Sequence, residues 1–342
     1  MAYAGVDLQG VFSYLPLKVR QKLEGLPPQR LSDLEEIRLR VGQPVALRFQ
    51  QTECFLAADN SCVSDPQAGE ILSAQEMQQA VLLLSNSSFY AITEELQRGY
   101  LTLPGGHRVG LCGRAVLADG FLKAQTDISG INVRIARALL GVADSIYPLL
   151  RNPHLDGRPY NTLLVSPPRA GKTTILRDLA RRFSQQGYNV SIVDERSEIA
   201  AMWQGEAQFS IGPRSDVMDA CPKAEGMMLM IRSMSPDIII CDEIGRQEDA
   251  YAIREAINAG VSIIASAHGC NESDLWRRPV LKQILEEKSF ERIVFLSRRQ
   301  GPGTVEYILQ ADEEKEEESN AKNYRCGYDH FCISEHRALA SR

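Results

Sequence analysis

The sequence has no Cys-x-x-Cys pair. Its eight Cys stand singly at 54, 62, 112, 221, 241, 270, 326 and 332, which points away from a disulfide framework and toward reduced thiols in the cytosol. It also has no apolar run near the 18 residues that a membrane span needs, so any membrane role is expected to come through a partner. The start, Met-Ala-Tyr-Ala-Gly-Val-Asp, carries neither a charged nor an apolar leader region, so no signal peptide is expected. Positive charge is not in excess either: the net charge is −6, with both signs interspersed, which argues against a broad electrostatic footprint for nucleic acid. What remains is an ordinary composition, 44% apolar and 24% charged, in a chain of 342 residues, enough for about two domains.

The most informative stretch is Leu163-Leu164-Val165-Ser166-Pro167-Pro168-Arg169-Ala170-Gly171-Lys172-Thr173-Thr174. An apolar strand enters a tight loop, and Ile175, Leu176, Leu179 and Phe183 then recur on one helical face. This is the pattern of a phosphate-binding loop, in which backbone N–H groups at a helix start cradle phosphate. Pro168, Arg169, Ala170, Gly171, Lys172, Thr173 and Thr174 are the expected nucleotide contacts, with Lys172 reaching the outer phosphates and Thr173 ligating Mg²⁺. Ser166 stands where the usual pattern has Gly.

Residues 1–140 read as a small α+β domain: a helical stretch around Leu31 to Leu39, a strand at 44–49, a helix at Ala74–Leu84, and strands near 99–103, 108–116 and 131–136. Breakers at Gly141, Pro148, Pro153, Gly157 and Pro159 mark the boundary. Over residues 141–311 strands alternate with helices, at Thr162–Ser166, Val190–Asp194, 237–241 and 261–266, with a closing hairpin at 293–297 and 304–309. That order predicts an α/β domain with a mostly parallel sheet. Residues 312–342 open on an acidic run, Asp312-Glu313-Glu314-Lys315-Glu316-Glu317-Glu318, and read as a flexible tail. Cys326, His330, Cys332 and His336 match none of the common zinc spacings.

Ile238-Ile239-Ile240-Cys241-Asp242-Glu243 is an apolar strand ending in two acids. In a parallel sheet its carboxyl end shares an edge with the loop, so Asp242 is placed to hold magnesium and Glu243 to polarise water. Asp194, Glu195 and Glu198 reach the same edge, either to position water or metal or simply to cap the next element. His268 ends the strand through Ala267, where it either senses the γ-phosphate or makes a structural hydrogen bond. A cation for the developing charge is sought among Arg134, Arg137, Arg214, Arg232 and Arg246. Met227, Met228, Met230 and Met234 are assigned to core packing.

Several strings together resemble the stage III sporulation protein AA family. They are residues 166–174, Val193-Asp194-Glu195-Arg196-Ser197-Glu198-Ile199-Ala200, Cys221-Pro222-Lys223-Ala224-Glu225-Gly226-Met227, Ile231-Arg232-Ser233-Met234-Ser235-Pro236-Asp237 and Asp242-Glu243-Ile244-Gly245-Arg246. Leu103-Pro104-Gly105-Gly106-His107-Arg108-Val109-Gly110 and Asn132-Val133-Arg134-Ile135-Ala136-Arg137 extend the likeness into the first domain. More distantly the chain is similar to the traffic ATPases of type II and type IV secretion, whose acidic box, Arg and His box correspond here to Asp194, Glu195 and Glu198, to Arg232, and to His268. There the acidic strand usually ends Gly-Glu, where this chain has Asp242-Glu243. The resemblance implies a RecA-like P-loop ATPase domain behind a smaller α+β domain, ATP and Mg²⁺ as cofactors, and a homo-hexamer with Arg134 and Arg137 as candidate nucleotide contacts across or within its interfaces. It also implies membrane partners in a secretion-like channel between mother cell and forespore, with the chain itself cytoplasmic and peripheral.

The residue-level reading keeps two alternatives open. A nucleic-acid-stimulated ATPase shares the same core, and a nucleotide-gated scaffold would bind ATP without releasing phosphate.

Overall fold

The computed structural model describes residues 2–3, 8–49, 52–85, 100–118, 120–137, 139–311 and 328–331. The chain divides into two compact units, one of Tyr3–Ala138 with Ala201–Phe209, the other of Leu139–Ala200 with Ser210–Arg342 and the first two residues.

The first unit is built on a seven-stranded antiparallel sheet whose central strands are Ala46–Phe49, Leu34–Arg40, Phe121–Arg134 and His107–Ala118. The helix Ala74–Leu84 lies where its periodicity predicts, opened by a capping box in which Ser73 and Glu76 satisfy each other's backbone N–H groups. It contributes Met77, Ala80 and Leu84 to a core with Ile37, Leu47, Val109 and Val133. The stretch from Leu31 to Leu39 is not one helix. A short helix, Pro28–Asp33, ends there and Leu34–Arg40 runs as a strand. Leu31, Leu34 and Ile37 recur at three-residue spacing and imitate a helical face, but pairing with strands on both sides buries Leu34, Ile37 and Leu39 completely.

The second unit holds an eight-stranded sheet. Its order is Ser215–Asp219, Val190–Asp194, Ile238–Cys241, Ser262–His268, Thr162–Ser166, Arg292–Ser297, Thr304–Ala311 and Tyr328–Phe331. The first six strands are parallel and the last two pairings antiparallel. Helix Lys172–Gln185 follows the loop and buries Ile175, Leu176, Leu179 and Phe183, the face its spacing predicts. Of the four methionines, Met227 and Met230 are core, while Met228 is only partly covered and Met234 is exposed. Edge strand Ser215–Asp219 escapes the sequence reading because Ser-Asp-Val-Met-Asp has no sustained apolar run. Tyr328–Phe331, within the stretch expected to be a tail, pairs along Thr304–Ala311. The acidic run at 312–318, Cys326, Cys332 and His336 lie outside the described residues. No helix among the described residues is long and apolar enough to cross a membrane.

Candidate functional site

Parallel register brings the site together. Ser166, last residue of its strand, lies opposite His268, and Cys241, just before the acid pair, lies opposite Ala265. The carboxyl ends of three neighbouring strands therefore present the loop, the acids and the imidazole on one sheet edge.

The loop turns through two left-handed residues, Arg169 at φ 61° and Gly171 at φ 91°. A side chain at Gly171 would meet the backbone N of Gly303 at 2.9 Å, so the turn at 301–303 closes over the loop. The Gly303 N–H donates to the Ala170 carbonyl at 2.7 Å. Beyond Gly171, helix Lys172–Gln185 has no side-chain cap, and the backbone N–H groups from Arg169 to Thr174 donate to no acceptor among the described residues. A helix start with its donors unclaimed suits an anion. Ser166 is not left-handed, so this position does not require Gly. Instead its carbonyl and hydroxyl oxygens each accept from Lys172 Nζ at 3.1 Å.

Lys172 is 6% exposed, and burial pushes its pKa down against the opposing pull of Asp242 and Glu243. Its third donor reaches His268 Nδ1 at 3.1 Å. An ammonium can only donate, so Nδ1 accepts and Nε2 carries the ring proton. That proton is shared with Glu243 Oε1 at 2.9 Å. Lys172, His268 and Glu243 thus form one polar chain. Beside it, Thr173 Oγ1 donates to Asp242 Oδ2 at 2.9 Å. The Ser266 hydroxyl donates to the other Asp242 oxygen and accepts the Glu243 N–H at 3.0 Å. Glu243 itself is held at φ 50°, a left-handed conformation uncommon for a side-chain-bearing residue.

The box after Val190–Asp194 acts partly through the backbone. Asp194 is buried, and its carboxylate accepts the N–H groups of Glu198, Ile199 and Ala200 at 2.7 to 2.9 Å, folding the turn that displays Glu195 and Arg196. Desolvation raises the Asp194 pKa from 3.8 to about 6 despite those donors. Between these values the native protein binds the proton that the unfolded chain releases, so the contribution to stability falls as pH rises from 3.8 to about 6. Asp194→Asn, which cannot accept as many N–H groups, is expected to lower stability by about 1–3 kcal/mol. It should also flatten that part of the pH–stability curve, as denaturant melts across the range would report.

Glu195 pairs with Lys223 and, at 3.8 Å, with Arg246. Burial works to raise its pKa, but the Lys223 hydrogen bond and the surrounding cations hold it below the ordinary carboxylate value. Arg232 is exposed at the end of helix Lys223–Met234 and is not joined to the cluster. Arg214 is likewise exposed, its backbone N–H bonded to Ser184. Arg134 and Arg137 belong to the first unit, where Arg134 pairs with Glu36 at 3.8 Å and Arg137 donates to the Leu34 carbonyl at 2.9 Å. Sequence reasoning did not place Ser266 or Arg196 at the site, and it read 301–303 only as the turn of the closing hairpin. Ser266 was discoverable, since it sits two residues before His268 on the same face of its strand. Arg196 pairs with Glu243 Oε2 at 3.1 Å, a contact with no signature in spacing.

Solved structures share this architecture. The chain matches the Legionella pneumophila ATPase DotB with a TM-score of 0.53 at 13% identity, over 87% of this chain and 82% of that one. It matches the pilus retraction motor PilT with bound ADP at 0.52 and 15% identity, over 78% and 75%. The fold is that of the RecA-like secretion ATPases. The profile of the family described as sporulation stage III, protein AA, matches residues 8–316. Stage III sporulation protein AA of Bacillus subtilis (strain 168) is 46% identical over 304 residues, 87% of this chain and 94% of that protein. The chain belongs to the sporulation stage III protein AA family.

Proposed function

We propose that the chain hydrolyses ATP at this sheet edge and passes the resulting change to membrane proteins, as the motor of a secretion-like trans-envelope channel in endospore formation. The observation that carries the reading is the polar chain Lys172–His268–Glu243 beside Thr173–Asp242, facing unclaimed N–H groups of the loop. Phosphate oxygens suit the backbone donors of residues 169–174, and Lys172 supplies the buried cation. Thr173 Oγ1 and Asp242 Oδ2, two hard oxygen donors 2.9 Å apart, fit a magnesium ion and would hold it. Magnesium, when bound, adds positive charge beside the phosphates.

Glu243 accepts the proton of the attacking water, and His268 holds the carboxylate by Oε1 while reporting the position of Lys172. The second oxygen is occupied by Arg196, whose side chain is 63% exposed. An exposed ion pair of this kind is weak, so Arg196→Ala is expected to raise basal turnover about two- to fivefold by freeing Oε2 for water. Steady-state kinetics check this, with the rise in kcat rather than KM.

The chain works as a ring of six cytoplasmic copies held at the membrane by partners. The remaining cation comes from a neighbouring copy, from among Arg134, Arg137, Arg214, Arg232 and Arg246, and Glu195 steadies the box. Sizing the purified protein with and without ATP while assaying phosphate release tests the reading. ATP-dependent assembly with turnover supports it, and a monomer without turnover removes it.

A further inference from the structure

Helices Lys223–Met234 and Gln247–Asn258 lie against each other and leave between them a groove of about 420 Å³. Its apolar surface comes from Ala224 and Met228, one turn apart on the first helix, and from Tyr251 and Ala252 on the second. Tyr251 is 54% exposed, and Leu229 and Met234 extend exposed apolar surface along the first helix. Glu225 and Glu248 also line the groove, and neither has an ion-pair partner among the described residues. An apolar channel bordered by acids complements a helix with one apolar stripe and flanking Lys or Arg.

Both walls begin at the candidate site. Lys223, the first residue of one helix, pairs with Glu195. The other helix starts after Arg246, and Asp249 ties down the Gly245 and Arg246 N–H groups at 3.0 and 2.9 Å, directly behind Glu243. A ligand that shifts these helices shifts Glu195 and Glu243.

We infer that this groove docks a basic amphipathic helix of a membrane partner. The choice of partner rests on the function proposed above, since segments flanking membrane spans on the cytoplasmic side are rich in Lys and Arg. The docking itself is read without reference to turnover.

The test uses the full-length chain and a fluorescent four-turn helical peptide of Leu and Lys in i, i+3, i+4, i+7 order, with Glu replacing Lys in a second peptide. Anisotropy is expected to report saturable binding of the basic peptide alone. Affinity should fall about tenfold in Glu225→Lys/Glu248→Lys, from two rim pairs lost, and fall again in Met228→Asp. Glu53→Lys/Glu286→Lys, an equal charge change at exposed sites off the groove, should bind as wild type. Equal losses in both charge-reversal variants would reduce the effect to net charge and overturn the proposal, as would the absence of binding. Peptide binding lost only because copies of the chain occupy the groove, seen as dissociation of wild-type oligomers by Tyr251→Asp, would overturn it in favour of self-association. Absent turnover with intact, groove-specific peptide binding would instead count against the ATPase reading alone.

Discussion

Glu243→Gln is expected to lower ATP turnover by about 10²–10⁴-fold, the usual contribution of a positioned base, while nucleotide still binds. The substitution keeps the shape of the side chain, and its amide oxygen can still accept from His268 Nε2 at the 2.9 Å position. It removes the carboxylate that the Lys172–His268 chain holds, the group proposed to take the proton of the attacking water. The amide nitrogen would also face Arg196, donor against donor, so the contact at 3.1 Å is lost. Because Lys172, Thr173 and the loop N–H groups are untouched, affinity measured with a fluorescent ATP analogue should stay within about twofold, a few tenths of a kcal/mol. A variant that neither binds nor turns over would assign Glu243 to the architecture of the edge instead.

Lys172→Ala is expected to fail earlier. It removes a charge-assisted donor to phosphate, worth about 1.5–3 kcal/mol, so nucleotide affinity should fall about 10- to 10²-fold. Turnover should fall a further 10²–10³-fold, the scale seen when one preorganised donor to a developing charge is deleted. The loss spreads beyond the cation: His268 Nδ1 is left without its donor, and the ring that holds Glu243 loses one of its two anchors. Stability should hardly change, since the deleted ammonium is 6% exposed and desolvation already works against its charge. Thermal melts without nucleotide should therefore match wild type while ATP no longer raises the melting temperature. A large drop in stability would point instead to Lys172 as a structural cation.

The parts of this arrangement that were legible in the sequence are those written as runs. Leu163-Leu164-Val165 and Ile238-Ile239-Ile240-Cys241 are buried on both faces, and such strands read as continuous apolar stretches. Helix Ala74–Leu84 has the bounds expected from the sequence. Contacts made through register were hidden. Ser266 binds both acids only because parallel pairing sets Cys241 against Ala265, and spacing along one strand does not state its offset from the next. Leu34–Arg40 imitated a helix because three apolar residues happened to recur at helical spacing, and only its neighbours on the sheet decide against it. Asp194 reads in sequence as either a metal- or water-positioning acid or a cap on the next element, and its carboxylate is turned inward to three backbone N–H groups. Whether an acid faces solvent or its own loop depends on the turn that follows, here bent through left-handed Ser197 and Ala201. The first unit's strings around Gly110 and Asn132 lie far apart in the chain yet are cross-strand partners, a relation no linear pattern conveys.

The proposed hydrolytic site is one sheet edge, with Lys172, Thr173, Asp242, Glu243 and His268. The most direct test is magnesium-dependent phosphate release by the purified chain, measured beside Glu243→Gln under conditions where both are saturated with ATP. Steady release is expected from wild type and at most about one hundredth of that rate from the variant. Equal release from the two proteins would contradict a hydrolytic role for this edge.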